Sequence, residues 1–381
     1  MPMKFGFFLM PAHHPAQNPT LIYERDLRTI EYAESLGYDE FWIGEHHTGG
    51  WEIIPAPDVF ISAAAQRTKR IRLGTGVVNL PYHHPFHVAE RMAMLDHLTY
   101  GRVTLGVGPG ALPPDIKMFG VEPAKMRPMM DESLDIILKL FRTDGPVTYE
   151  GQYWTLKDME LQVKSYQQPH VPVAVASTGR QHSLELAATY GLQVLSANFQ
   201  VGASGEAMGK QWAMLESLSK QKGTVPSRPD WRIANYVYVA DTREKAIEDI
   251  EKGATEELRE YFFPLGVKPS YEDYPGQPAS EIDLAQAIRK RGWIIGNPDD
   301  CIQQLQEMYK GTGGFGGLLI TAVEWTSWSN WDHSLELFAR YVAPEFQHSN
   351  RGMVRSWNQL KEDAAAGRLP TPYGPQKRSD Q

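Results

Sequence analysis

The 381-residue chain is poor in cysteine and has no long apolar stretch. Cys301 is the single cysteine, so no internal disulfide can form and nothing in the composition indicates an oxidising compartment. No apolar run approaches the roughly 18 residues that a membrane-spanning helix needs, and the first ten residues lack the pattern of a signal peptide. We therefore expect a soluble, cytoplasmic protein with no membrane partner.

The chain also lacks any long run of basic residues. Its formal net charge is −8, and Lys and Arg never form more than a short run. Nucleic acids bind to basic faces through their phosphate backbone, and this composition offers no such face. We therefore expect no nucleic-acid partner.

A dinucleotide-binding motif is missing as well. The glycine-rich stretch 106–111 follows a predicted strand, but we expect Pro113-Pro114 to prevent the helix that such a motif requires. The similar stretch 311–316 comes before a predicted strand and not after one. The sequence therefore contains no NAD(P)-binding module of its own.

Short apolar runs alternate with stretches of helical periodicity along most of the chain. This alternation is typical of βα units, and uniformly apolar strands are typical of a parallel sheet covered on both faces. The strands predicted in this way span residues 5–10, 40–44, 71–78, 103–107, 173–176, 193–196, 233–239 and 317–321. Their number fits an α/β fold of the (β/α)8 TIM barrel type.

We predict one barrel domain over residues 1–350 and a polar tail over 351–381. An insertion at about 262–296 precedes the last βα unit, and its Pro- and Gly-rich part is typical of segments that border the mouth of a barrel. Asn297 and Pro298 predict the N-cap and first residue of the helix that follows. The tail contains prolines and is predicted to be a strap or a loose end.

Polar side chains follow the first three predicted strands, where the active site of a barrel lies. They include His13, the run Glu45-His46-His47 and Asn79. Adjacent residues of an extended segment point to opposite faces, so His46 and His47 do not easily bind one ion, and we expect no metal. For His13, a hydrogen-bonded structural role is an open alternative to a role in the site.

The turn Ser177-Thr178-Gly179 leaves the fifth predicted strand and runs into a helix. Free N–H groups, hydroxyls and the helix dipole favour an anion such as a phosphate at this position. Arg180 and His182 lie in the same turn. An ordinary N-cap is the alternative interpretation.

Several motifs stand in a characteristic order: Glu45-His46-His47, the stretch 73–81 with His84-Pro85, Leu95-Asp96 and Gly101-Arg102. Together they resemble the bacterial luciferase-like flavin monooxygenases, and the resemblance extends from Lys4 to about Val323. The stretches 51–55, 80–83 and 108–110 are most similar to the terpenoid-oxidising branch, which includes limonene and diketocamphane monooxygenases.

The resemblance implies a homodimer that binds FMN non-covalently and receives reduced FMN from a separate NAD(P)H-dependent flavin reductase. It also implies that a C4a-peroxyflavin, formed with O2, oxidises a small apolar substrate in a dry pocket. A cyclic ketone undergoing Baeyer–Villiger insertion is the first expectation for this substrate. Limonene-type epoxidation is the second, and oxidation of an aldehyde or alkane is the third.

The resemblance also assigns catalytic and ring-binding residues. His46 matches the histidine beside the flavin and is expected to donate or accept protons, with a pKa suited to both. Glu45 either orients His46 or is a buried partner within the barrel. Gly76 and Val77 match a cis non-prolyl peptide under the isoalloxazine ring, and Asn79 is expected to bind the cofactor beside it.

The resemblance identifies Ser177, Thr178 and Gly179 as the loop that binds the flavin phosphate. In the luciferases, an arginine after the fourth strand assists this loop, whereas this chain has Pro109. Arg180 and His182 are therefore the expected cationic partners of the phosphate. The substrate pocket is expected to be lined by Phe7, Met10, His13, Trp51 and Trp325.

Two other functions remain open at this point. An F420-dependent oxidoreductase would share the barrel, but the polyglutamate tail of F420 favours a basic rim that the sequence does not show. A flavin-binding protein without catalysis is the second alternative, and retention of Glu45-His46-His47 argues against it. An assay for substrate-dependent oxygen consumption distinguishes them.

Overall fold

The strands of the computed structural model form a closed parallel barrel with a few short pairings outside it. The strands are β1 (Lys4–Leu9), β2 (Glu40–Ile43), β3 (Arg72–Thr75), β4 (Val78–Asn79), β5 (Val103–Gly108), β6 (Val147–Glu150), β7 (Thr155–Met159), β8 (Val173–Ser177), β9 (Gln193–Ala197), β10 (Arg232–Asn235), β11 (Val237–Val239), β12 (Ile294–Gly296) and β13 (Gly317–Ala322). The structure describes residues 2–10, 12–198, 205–283 and 292–370.

The barrel itself contains eight parallel strands in the order β1, β2, β3, β5, β8, β9, β10 and β13. The ring closes where β13 pairs with β1, with Gly317 beside Lys4. Each of these strands lies within about a residue or two of one predicted from the sequence, apart from the two breaks described below. The predicted (β/α)8 barrel is therefore confirmed.

Helices cover the outside of the barrel. They are α1 (Pro19–Ser35), α2 (Pro57–Arg67), α3 (Pro85–Leu98), α4 (Pro113–Phe119), α5 (Met126–Arg142), α6 (Gln181–Tyr190), α7 (Gly205–Lys222), α8 (Arg243–Glu257), α9 (Pro298–Thr312), α10 (Trp328–Leu337), α11 (Ala343–Gln347) and α12 (Arg351–Ala365). Within the described ranges, no helix is both long and apolar enough to cross a membrane.

Local sequence sets where these helices begin. Asn297 caps α9 through its side chain, which accepts the N–H of Asp300, while Pro298 occupies the first helical position as predicted. The apolar residues of α1 lie on one stripe that buries Ile22, Leu27 and Ile30 against the sheet. Helix position is thus fixed by caps at the ends and by burial along one face.

Two apolar layers fill the structure. The larger layer lies between the strands and the helices, and Phe7, Phe41 and Tyr38 pack against each other within it. The smaller layer fills the inside of the barrel, where Trp42 and Leu319 pack with alanines and with the ring of Phe8. Successive residues of a strand face opposite sides, so Phe7 and Phe8 belong to different layers.

Two predictions about local structure are wrong. Pro113-Pro114 does not prevent a helix, because α4 begins at this pair and the first turn of a helix does not use its own N–H groups. The predicted strand 233–239 is split after Asn235, whose side chain binds the carbonyl of Gly292 and the N–H of Tyr236. The second half, β11, pairs with β12 instead of continuing the barrel.

The third predicted strand, 71–78, is interrupted as well. β3 ends at Thr75, a cis peptide joins Gly76 to Val77, and β4 then pairs with β5. The cis bond stands at the position that the family resemblance implies.

The predicted insertion begins as a π-helical continuation of α8 over Leu258–Val267, followed by short 3-10 turns at Lys268–Ser270 and Ala279–Glu281. Part of it lies outside the described residues. The first half of the expected strap or loose end is the exposed helix α12, and residues 371–381 lie outside the described part of the chain.

Candidate functional site

A cavity of about 700 Å³ opens at the carboxyl ends of the barrel strands. Its wall combines residues that follow β2, β3, β5 and β8, because parallel strands bring their ends to one rim. Most of the residues expected to serve catalysis or cofactor binding line it: Glu45, His46, Gly76, Val77, Asn79, Ser177, Thr178, Arg180 and His182. Gly179 lies in the same turn as its neighbours.

Gly76, in the wall of the cavity, is closely packed against its neighbours. A Cβ atom at this position would lie 3.2 Å from Trp42 and 3.3 Å from Phe8, which is tighter than ordinary contact. At Gly108, on the neighbouring strand, a Cβ would lie 2.6 Å from Val77. Glycine at these two positions therefore lets the backbone lie close to Trp42, Phe8 and Val77, where a residue with a side chain would not fit without a shift.

The turn after β8 is arranged around a buried hydroxyl. Ser177 Oγ accepts the N–H of Gly179 at 3.1 Å and lies 3.0 Å from Ser183 Oγ. Gly179 adopts a positive φ of 82°, which glycine reaches without a steric penalty. The turn then leads into α6, so its hydroxyls and the free N–H groups of the helix start face the cavity together.

Three cationic or potentially cationic side chains surround this turn. Arg127 and Arg180 line the cavity, and neither forms an ion pair within the described ranges. His182 Nε2 lies 3.0 Å from Asp131 Oδ1, so this histidine already has an anionic partner. The two arginines are therefore the better candidates to bind an anion.

Arg127 was not predicted from the sequence. It is the second residue of α5, and a cation at a helix start is unfavourable unless an anion lies close. A basic residue at the start of a helix is therefore the sequence feature that could have indicated Arg127 as an anion-binding residue, although many exposed arginines share this placement.

His46 lies between two carboxylates. Its Nδ1 is 3.2 Å from Asp115 Oδ2, and its Nε2 is 2.9 Å from Glu52 Oε2. Burial of the ring opposes protonation, but the charge of Glu52 and the hydrogen bond to Asp115 outweigh it and raise the pKa of His46 to about 10. This pKa is higher than the sequence led us to expect, and it favours the protonated ring at neutral pH.

Glu45 does not contact His46 but binds the next histidine. Its Oε1 accepts hydrogen bonds from His47 at 3.0 Å and His83 at 2.9 Å, and its Oε2 accepts the N–H of Asn79 at 3.3 Å. Burial opposes ionisation, yet the two imidazoles hold the pKa of Glu45 below its usual range. The described contacts therefore join Glu45 to His47, His83 and Asn79 and not to the ring of His46.

Glu45, His47 and His83 also place three possible metal-binding atoms within 4.8 Å of one another. Because both Nε2 atoms already lie at hydrogen-bond distance from Glu45, hydrogen bonds alone account for this arrangement. His46 and His47 point to different partners, as expected for adjacent residues of an extended segment.

None of the residues expected to line the substrate pocket borders the 700 Å³ cavity. Phe7 lies in the outer core against Phe41, since its ring faces the helices and not the barrel interior. Met10 and His13 border a smaller neighbouring space, and His13 Nε2 lies 3.0 Å from Asp26 Oδ2.

The two predicted tryptophans occupy a separate aromatic layer at the same rim. Trp51 stacks on Tyr261 with ring centres 5.5 Å apart. Trp325 stacks on Trp293 at 5.2 Å and donates its indole N–H to Glu257 at 3.0 Å. Both tryptophans are buried, and Tyr261, on which Trp51 stacks, donates its hydroxyl to Glu52.

Glu52, Asp115 and Tyr261 were missed by sequence reasoning. Glu52 stands within a motif stretch, but its contact with His46 depends on the loop after β2 folding back so that His46 N–H binds the carbonyl of Ile54. Asp115 and Tyr261 come from distant segments, and nothing in their spacing connects them to His46.

Comparison with known proteins gives consistent matches over most of the chain. The family described as luciferase-like monooxygenase matches residues 3–314. The 4-hydroxyprotoasukamycin monooxygenase of Streptomyces nodosus subsp. asukaensis is 41% identical over 368 residues, 96% of this chain and 98% of that protein. The limonene 1,2-monooxygenase of Rhodococcus erythropolis is 37% identical, over 94% of this chain and 90% of that protein.

A solved structure supports the same assignment. The oxygenating constituent of 3,6-diketocamphane monooxygenase from Pseudomonas putida, a type II Baeyer–Villiger monooxygenase in complex with FMN, superposes with a TM-score of 0.78 at 26% identity. The match covers 90% of this chain and 99% of that one.

Proposed function

This chain belongs to the luciferase-like monooxygenase family and is thus an oxidoreductase, and from that premise we propose that it binds reduced FMN in the cavity above Gly76 and Val77. With O2 it oxidises a small apolar substrate, a cyclic ketone or a terpenoid, by Baeyer–Villiger insertion or epoxidation. The observation that carries the proposal is the convergence of an imidazolium, a glycine-lined floor and a hydroxyl-rich turn on one cavity.

The residues present fit FMN. Arg127, Arg180 and the Ser177-Thr178 turn offer charge-assisted and neutral donors for a phosphate at one end of the cavity. Gly76, Val77 and Gly108 line the other end of the cavity, where apolar groups suit the face of a flat ring. Arg127 on α5 and Arg180, directly before α6, thereby supply the cationic partner that the turn at Pro109 lacks.

Bound reduced FMN supplies two electrons, so that substrate and O2 yield oxygenated substrate, oxidised FMN and water. The residues of the chain must then position the substrate, exclude bulk water and supply protons. His46 is the candidate proton donor because it lines the cavity and carries a proton at neutral pH.

The proposal includes a separate NAD(P)H-dependent flavin reductase as partner. The described chain provides a barrel without a dinucleotide-binding motif, and the 3,6-diketocamphane relative is itself an oxygenating constituent. We further propose a homodimer in the cytoplasm. An F420-dependent reaction is less well supported, since the relatives at 41% and 37% identity are named monooxygenases.

An anaerobic titration with reduced FMN tests the proposal, followed by addition of O2 and a panel of cyclic ketones and limonene. We expect saturable binding and substrate-dependent formation of an oxygenated product. F420 serves as a parallel arm of the titration. Absence of affinity for FMN in both redox states would overturn the proposal, and binding without substrate-dependent product would assign a non-catalytic role.

A further inference from the structure

Glu52 is a buried carboxylate just behind the cavity wall, with a side chain only 2% exposed. One oxygen lies 2.9 Å from His46 Nε2, and the other accepts the hydroxyl of Tyr261 at 2.7 Å. The backbone around Glu52 is held too, because it forms an isolated antiparallel bridge with Ala12. The contacts with His46, Tyr261 and Ala12 together hold Glu52 in place.

The second ring nitrogen of His46 faces Asp115 at 3.2 Å, and that side chain is 1% exposed. Ionised carboxylates only accept hydrogen bonds, whereas a neutral imidazole has one N–H to give. Nδ1 is at hydrogen-bond distance from Asp115 and Nε2 lies within ion-pair distance of Glu52, so two carboxylate charges flank the ring and favour its doubly protonated form. Asp115 also accepts the N–H of His47 and the hydroxyl of Thr48, so its charge is shared among several donors.

Glu52 differs from Asp115 in what it binds besides His46. Its only other described side-chain partner is Tyr261, which lies on the π-helix Leu258–Val267 that leads into the insertion and stacks on Trp51. Burial and the nearby Glu52 charge raise the pKa of Tyr261, so its hydroxyl stays protonated and continues to donate. The insertion is thereby linked to His46 through one carboxylate.

We propose that Glu52, held by Tyr261, is a positioning residue that keeps His46 cationic and ready to release a proton during the oxygenation reaction. The inference rests on the proposed function, because it assigns a role within that reaction. A purely structural role of Glu52 would leave the charge of the His46 ring unchanged, whereas the proposed role predicts that this charge depends on Glu52.

The other titratable groups near this cluster come from several elements. Glu257 at the end of α8 lies close enough to Glu52 and Tyr261 to influence both, and Tyr82 lies close to Asp115. Other titratable groups at this rim are His13 with Asp26 and Glu324, Arg25 beside Glu324, His14 with Glu256 and Glu260, and Glu45 with His47 and His83. The described contacts join Glu52 and Asp115, and none of the others, directly to the ring of His46.

The charge of His46 is measurable in the protein without flavin, by NMR of 13C-labelled histidines, with His46→Gln to assign the signal. We expect wild-type His46 to remain protonated at about pH 8. Glu52→Gln should lower its titration midpoint by at least about one pH unit, a tenfold weaker proton affinity. Glu260→Gln, which removes a more exposed carboxylate of the same rim, is the matched control and should leave the midpoint unchanged.

The second measurement uses the enzyme loaded with reduced FMN and a substrate that it oxidises. In Glu52→Gln, the yield of product per O2 consumed should fall at a pH lower than in wild type, by about the shift seen in the NMR titration. If Glu52→Gln does not fold, Glu52→Asp, which keeps the charge but shortens the reach, replaces it and should show a smaller shift in the same direction.

Three results would overturn the inference: a wild-type midpoint near the ordinary value for histidine, a midpoint unmoved by the Glu52 variants, or a yield profile unchanged when the midpoint moves. The NMR result does not depend on FMN. Failure of FMN to bind therefore rejects the proposed function and with it the role in oxygenation, while an unmoved midpoint with FMN bound rejects the role of Glu52 alone.

Discussion

Arg232 and Glu40 form an ion pair inside the amino-terminal end of the barrel, with side chains only 6% and 5% exposed. Arg232 also donates to the carbonyl of Pro229 at 2.7 Å. Each is the first residue of its strand, β10 and β2, so the pair joins two strands that β13 and β1 separate, at the end away from the cavity. Residues at the amino-terminal end of a barrel contribute to its stability, whereas the active site lies at the carboxyl ends of the strands.

Arg232→Ala should lower the free energy of unfolding by about 3–5 kcal/mol, because Glu40 would remain buried without its cation. Urea denaturation followed by circular dichroism measures the change. Arg67→Ala, which breaks the exposed pair with Glu24, is the control and should have no measurable effect. Equal losses in both variants would contradict the assignment of stability to the buried pair.

His46→Ala should leave FMN affinity nearly unchanged and lower the rate of product formation by about 100-fold or more, since a positioned proton donor is lost. Oxygen consumption should persist and end as hydrogen peroxide. Quantifying product and peroxide together per O2 consumed tests this expectation. His87→Ala, at an exposed histidine paired with Glu90, should behave as wild type. An unchanged product yield in His46→Ala would exclude the role.

Arg180→Gln and Arg127→Gln should each weaken FMN binding by about 10- to 100-fold, because a charged hydrogen bond contributes roughly 1.5–3 kcal/mol. Binding of riboflavin, which lacks the phosphate, should not change. Fluorescence titration with both flavins provides the comparison. Lys125→Gln removes a neighbouring cation paired with Glu122 and is the matched control. Parallel losses for FMN and riboflavin would show that these arginines do not bind the phosphate.

Glu257 should make the protein less stable as pH rises. Burial raises the pKa of this carboxyl to about 8, so the folded state keeps a proton that the unfolded state has lost above the ordinary glutamate pKa near 4.5. Its stabilising contribution is therefore fully present below about pH 4.5 and disappears as pH rises through about 8, with a slope of about 1.4 kcal/mol per pH unit.

Glu257→Gln mimics the protonated carboxyl and should remove that slope. Urea denaturation between about pH 5 and pH 8 should therefore show a gap in stability, in favour of the variant, that widens with pH. Glu256→Gln alters the exposed neighbour and should follow the wild-type curve. If the wild-type and Glu257→Gln curves are parallel, the carboxyl titrates normally in the folded protein.

Most of the barrel was predictable because buried parallel strands read as uniform apolar runs and the helices carry their own caps. Asn297-Pro298 is one such signal, and the structure places the helix start there. The break after Asn235 was not predictable, because its cause is a side-chain contact with Gly292 far along the chain. An apolar run shows that a segment is buried and does not show which strand it pairs with.

The site was predictable only where residues follow strand ends directly or stand in a recognisable motif. His46, Gly76 and Ser177 satisfy this condition, and they meet in one cavity. The charge of His46 was not predictable, because it depends on Asp115 and Glu52, and their approach requires the folded loops. Phe7 was assigned to the wrong layer. Adjacent strand residues face opposite layers, and Phe7 and Phe8 are both apolar, so the sequence does not show which of them faces the barrel interior.

β11 and β12 pair with each other, so the segment between them begins and ends at neighbouring positions of the structure. The chain that leaves β11 through α8 returns beside it, with Val239 next to Gly296. Since the cost of closing a loop rises only slowly with its length, residues can be gained or lost in this excursion while the ring of strands keeps its closure. Relatives that share the barrel are thereby free to diverge in this segment, which makes it a natural target for libraries that seek altered substrate preference.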